Sequence, residues 1–171
     1  NIDMILLGAL KRENVVKFYL GSIARKITRK AKCSVLLLIN PSVERIPCQH
    51  IVVNGFDSPQ TKETIRAAFT VAKSLGAKKI SLVEEISRSK VDVAVDDDLS
   101  LRRATLKKEK LRRQEQNRVK DVVEKLPSSL TQDINWTTQS IFGRRGYSIG
   151  HYAKVVRADL LVMNAVDKLS F

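Results

Sequence analysis

The sequence predicts an α/β protein built on a parallel sheet. Three observations point there. Short, wholly apolar runs recur, the longest at residues 35–39 and 160–163, and runs without polar alternation suit strands buried on both faces. Between them lie segments whose apolar residues return at helical spacing. Finally, Asp3-Met4-Ile5-Leu6-Leu7-Gly8-Ala9 reappears near the other end as Asp159-Leu160-Leu161-Val162-Met163-Asn164-Ala165. An internal repeat of this kind governs architecture and is read first.

Residues 2–8 read as a buried strand closed by Gly8, and residues 9–19 as a loop with one helical turn. A helix is expected over residues 20–31. Ile23, Ala24, Ile27 and Ala31 share one face, and Arg25, Lys26, Arg29 and Lys30 the other. Residues 35–39 form the next buried strand, stopped by Asn40-Pro41, and residues 41–47 read as a linker. A new unit then begins with a strand at 51–53. Ser58 is the expected N-cap of a helix with Pro59 at its first position, where the missing N–H costs nothing. Ile65, Ala68, Phe69 and Ala72 are its buried stripe and Gly76 its stop. Residues 79–83 complete a strand–helix–strand crossover, which is right-handed.

Residues 87–98 read as irregular, with a short edge strand where Val91, Val93 and Val95 alternate with Asp92, Ala94 and Asp96. Asp96-Asp97-Asp98 fits a helix N-terminus, where carboxylates suit the dipole. A cation loop would need a glycine turn and spaced oxygen ligands around them. A long helix is predicted over 99–126. Its second half has an apolar stripe at Val119, Val122, Val123 and Leu126. Residues 134–142 read as a strand around Trp136. Ser148 is the expected cap of a helix whose inner face is Ile149, Tyr152, Ala153 and Val156. Residues 159–164 are the last strand.

Composition narrows the function classes. The chain has 171 residues and a formal net charge of +13, which suits an anionic partner. No apolar run approaches the roughly 20 residues of a membrane span, and no signal-peptide pattern is present. The sequence does not start with Met, so a piece of a longer protein is expected. Cys33 and Cys48 read as reduced thiols. His50 and His151 read as surface or strand-edge residues, and no zinc ligands cluster.

The repeated strands carry a family resemblance. After Gly8 come Ala9-Leu10, then Lys11, then nine residues, then Gly21-Ser22. This resembles the phosphate loop of universal stress proteins: Gly, two residues, Gly, nine residues, Gly-Ser or Gly-Thr. The spacing is complete, and Lys11 stands where the second glycine belongs. Residues 3–39 look like the end of such a domain, residues 50–86 like its start, and residues 134–164 like its middle. The resemblance therefore implies a doubly wound, adenine-nucleotide-hydrolase-like fold. It divides the chain into the end of a first repeat at 1–40, a linker at 41–49, and an incomplete second repeat at 50–171 with a charged insertion at 87–126.

The same resemblance implies a phosphate loop of Gly8, Lys11, Gly21, Ser22 and Ile23, with Asp57 near the adenosine. ATP or another adenine nucleotide is the implied ligand, and no cofactor is required. Physically, Gly8 would let phosphate oxygens approach the backbone, and Gly21-Ser22 would open a helix whose free N–H groups favour an anion. Two positions of the second repeat depart from the pattern. Phe56 stands where the family has an acidic residue, and Asn164 replaces the strand-end glycine. Weak affinity for ATP is expected.

The leading expectation is a non-catalytic regulatory or sensor domain in the cytoplasm. The family occurs as a cytoplasmic appendage of inner-membrane cation/proton antiporters, so the remainder of a transmembrane transporter is the expected partner. A stand-alone, stress-response ATP-binding protein is the alternative. Nucleic-acid binding through residues 99–126 is a further one. That segment has ten cations against four carboxylates, but no interleaved aromatics to stack on bases. Self-association is also expected, because the second repeat lacks a last helix and strand that residues 20–39 could supply within one chain or by exchange. An enzyme is not expected: no nucleophile has a neighbouring base in sequence.

Overall fold

The computed structural model describes residues 2–9, 22–39, 44–91 and 96–164. The chain divides into two compact units, Asn1–Ile46 and Pro47–Phe171. The first contains strand β1 (Met4–Ala9), helix α1 (Ser22–Lys30) and strand β2 (Ser34–Ile39). The two strands pair in parallel, from Met4 opposite Ser34 to Ala9 opposite Ile39. Arg29 and Lys30 end α1, where cations favour the negative end of the helix dipole. Ala24 is buried, while Met4, Leu6, Ile23, Leu38 and Ile39 are exposed. Burial on both faces, expected of these strands, is not what they show. One helix over two strands covers little apolar surface.

The second unit runs β3 (His50–Asn54), α2 (Thr61–Leu75), β4 (Lys79–Ile86), a 3-10 turn (Arg88–Val91), α3 (Asp98–Glu124), α4 (Ser128–Thr131), β5 (Asn135–Phe142), α5 (Ser148–Val155) and β6 (Leu160–Val162). Its four strands lie in the order β5-β4-β3-β6, and every neighbouring pair is parallel. All five residues of β3 are buried, as a central strand between two layers requires. Ile51, Val53, Ile80 and Leu82 pack with Ile65, Phe69 and Ala72 of α2 and with Val119 and Val123 of α3. On the other face, Val52 and Val83 pack with Ile149 and Ala153 of α5. This is a parallel-sheet α/β fold wound on both faces. Each fully buried Val, Ile or Phe side chain contributes roughly 1.5–3 kcal/mol to it.

Several element boundaries differ from expectation. Helix α2 starts at Thr61, not at Pro59 after a Ser58 cap, and its N-cap Gln60 makes no side-chain cap. Residues 58–61 are instead a turn: the Thr61 N–H donates to the Ser58 carbonyl at 3.1 Å, and the two hydroxyls lie 3.0 Å apart. Gly76 ends α2 with φ 70°, the left-handed conformation that glycine adopts at no steric cost. Strand β4 runs on to Ile86. Val91 belongs to the 3-10 turn, and the rest of the expected edge strand, Val93 and Val95, lies outside the described residues. Asp97 caps α3 in a reciprocal box. The Ser100 N–H donates to its carboxylate at 2.7 Å, and the Ser100 hydroxyl accepts from the Asp97 N–H at 3.0 Å. Among the described residues, no helix is long and apolar enough to cross a membrane.

His50 is a correction. It is not a surface or edge residue but the buried first residue of the central strand. Its Nε2 lies 2.9 Å from the Ser81 hydroxyl. The Asp159 carboxylate accepts from the N–H groups of Gln49 and His50, both at 2.9 Å. Together these contacts tie the amino ends of β3, β4 and β6.

Candidate functional site

Open parallel sheets bind ligands beyond the carboxyl ends of their strands. In the second unit that edge consists of the loop after β3, the end of β4, the loop after β5 and the residues after β6. The β3 loop folds back because the Asn54 side chain accepts from the Phe56 N–H at 2.9 Å. Gly55 adds one more rung, its N–H donating to the Val83 carbonyl at 2.8 Å. A Cβ on Gly55 would stand 3.0 Å from Cγ2 of Val119. Helix α3 therefore lies directly against this loop.

Arg118 of α3 reaches into the edge. Its guanidinium donates to the Gly55 carbonyl at 2.5 Å and to Glu115 at 3.0 Å. It also makes an ion pair with Glu84 and lies 3.7 Å from the Asp57 carboxylate. Glu84 is buried near the end of β4, so a paired cation is what permits its charge there. Burial lowers the pKa of the Arg118 guanidinium from its ordinary value, and the Asp57 charge opposes that shift.

Two further contacts lie at the same edge. The Arg145 guanidinium stacks over the Phe56 ring, 3.6 Å from its centre. The Asn164 side-chain amide donates to the Ser58 hydroxyl at 2.7 Å, joining the residues after β6 to the loop after β3. Beside them, the start of α5 already holds an anion from its own chain. Buried Glu85 accepts from the Gly146 N–H at 2.7 Å and from the Ile149 N–H at 2.8 Å. Ser148, the expected cap, is instead the first helical residue, and the N-cap, Tyr147, makes no side-chain cap. A cleft of about 540 Å³ stays open between the ends of β4 and β5, lined by Ser87, Arg88, Gly143, Arg144, Tyr147 and Ser148.

In the first unit, Gly8 is the fifth residue of β1, and among the described residues nothing lies within 4 Å of where its Cβ would be. Lys11 and Gly21 lie outside the described residues. Ser22 opens α1, and Ile23 behind it is 74% exposed. Strand β1, helix α1 and strand β2 together form a parallel crossover. Residues 1–38 match the model of the universal stress protein family.

Three solved structures are also similar to the chain. UspA from Lactobacillus plantarum is 20% identical, with 74% of this chain and 83% of that one covered and a TM-score of 0.49. Protein Rv1636 from Mycobacterium tuberculosis H37Rv is 15% identical, over 75% of this chain and 79% of that one, with a TM-score of 0.46. A universal stress protein family member from Burkholderia pseudomallei is 14% identical, over 71% and 85%, with a TM-score of 0.43. Comparison with curated proteins gave no match.

Two residues at the second unit's edge are engaged within the chain. Asp57, which the resemblance would place near the adenosine, faces Arg118, and Phe56 lies under Arg145. The sequence marked Phe56 and Asn164 as departures but gave no sign of Arg118, Glu84 or Glu85 as their neighbours. Glu84-Glu85 at the end of an apolar strand was the one available signal: two carboxylates there must find partners.

Proposed function

We propose that the chain is a non-catalytic regulatory region of universal-stress-protein type, in which the second unit's nucleotide end is closed by its own side chains. One observation supports this above others. Phe56 and Asn164, the second repeat's departures from the family pattern, each make an intrachain contact across the ligand edge. At the same edge Arg118 bridges the Gly55 carbonyl and Glu84. Any residual affinity for ATP or another adenine nucleotide is then weak and belongs to the open cleft beside Arg88 and Arg144 or to the segment that follows Gly8. A non-catalytic role is favoured by the place of His50. It is buried against Ser81 at the amino end of β3, the end away from bound ligands.

Calorimetry with ATP and AMP tests the proposal. Sub-micromolar binding of either nucleotide would overturn it, and weak or absent heat is the expected result. The parent we favour is a membrane cation/proton antiporter with this region in the cytoplasm. A net charge of +13 suits a position beside an anionic leaflet. The gene's full reading frame tests this part separately. An upstream block of hydrophobic helices supports it, and an initiation codon directly before residue 1 sinks it.

A further inference from the structure

The amino-terminal half of α3 is a surface that the closed sheet edge leaves unused. Over residues 98–113, Ala104 is buried and Ser100 and Leu111 are half-buried, while every other residue is exposed. At 3.6 residues per turn, Leu99, Arg102, Arg103, Leu106, Lys110 and Arg113 recur every three or four positions and form one stripe. That stripe faces away from Ala104. Leu99 and Leu106 are 62% and 65% exposed. Single exposed leucines are ordinary, but two in one stripe bordered by four cations match the composition of helices that lie at a bilayer surface.

Charge complementarity selects the occupant. Residues 99–113 carry seven cations and one carboxylate, Glu109. Among the described residues no ion pair engages Arg102, Arg103, Lys110 or Arg113. We propose that this stripe docks the protein on an anionic lipid surface, its cations against the headgroups and Leu99 and Leu106 at the acyl boundary. A nucleic acid would use the cations, but it gives no role to the leucines. It would also find no aromatic residue anywhere in α3 for base stacking. The inference is independent of nucleotide affinity.

The test is co-sedimentation of the full chain with vesicles of phosphatidylcholine alone and of phosphatidylcholine mixed with phosphatidylserine, without nucleotide. Two variants accompany it, R102E/R103E/R113E and L99S/L106S, each checked for unchanged circular dichroism and melting. Binding is expected only to the vesicles containing phosphatidylserine. Charge reversal should lower it by at least about tenfold, since each cation near such a surface matters. Leu99→Ser with Leu106→Ser should lower it severalfold. Equal binding to both vesicle types, or loss in neither variant, would overturn the proposal. So would a fluorescent oligonucleotide that binds through the same cations while the vesicles do not, or while L99S/L106S leaves vesicle binding unchanged.

Discussion

Arg118 lies where a backbone carbonyl and three carboxylates converge, those of Gly55, Glu84, Glu115 and Asp57. Of the carboxylates, Glu84 is buried and Asp57 largely exposed, so the energetic weight falls on the Glu84 pair. Removing one partner of a buried pair leaves an uncompensated charge, whereas removing both does not. Arg118→Met is therefore expected to cost about 3–5 kcal/mol in urea unfolding. Adding Glu84→Gln should recover most of that loss. If the double variant is as unstable as the single one, the pair is not what holds α3 to the edge. None of this was legible in the sequence. Residues 84 and 118 are separated by the 3-10 turn and most of α3, and Arg118 looked like one more cation in a charged helix. Phe56 was legible as a departure from a pattern, but its partner Arg145 lies two crossovers away.

Elements with strong periodicity were easy to read, and their ends were not. The stripe of α2 and the later stripe of α3 are the residues that pack in the core, because 3.6-residue spacing leaves few alternatives. Helix starts depend on which oxygen reaches the free N–H groups, and distant side chains can compete for them. Ser148 looked like a cap, but Glu85 of β4 takes that role for α5 through two charge-assisted hydrogen bonds. Glu85→Ala should therefore cost about 1.5–3 kcal/mol, the range for hydrogen bonds to a charged group. Ser148→Ala should stay within about 0.5 kcal/mol. Denaturant midpoints of the two variants decide the matter, and the reverse order would restore Ser148 as the cap. The short helix α4 escaped the sequence reading because four residues give no period to detect.

At the scale of the molecule, the parallel sheet was legible because unbroken apolar runs and the repeat of residues 3–9 at 159–165 leave few other folds. The buried polar clasp at the sheet's amino end was not, since His50 gives no periodic signal. That clasp makes the second unit's stability depend on pH. Burial chiefly, and the Lys79 charge next, push the His50 pKa below its ordinary value. A hydrogen bond involving the Val156 backbone and the Asp159 charge oppose the shift. In the unfolded chain the imidazole takes up its proton near pH 6.5, and in the folded chain only at lower pH. The unfolded state thus binds more protons in this window, so stability falls as pH falls. The loss begins as pH drops through about 6.5 and levels off once the folded state is also protonated. Urea midpoints measured from about pH 8 down to about pH 5 should fall for the native chain, over the range where histidine changes charge. In His50→Gln the amide can still meet Ser81, but nothing titrates there, so the decline should be shallower. Parallel declines in the two proteins would place the acid sensitivity elsewhere and leave His50 a neutral packing residue at all these pH values.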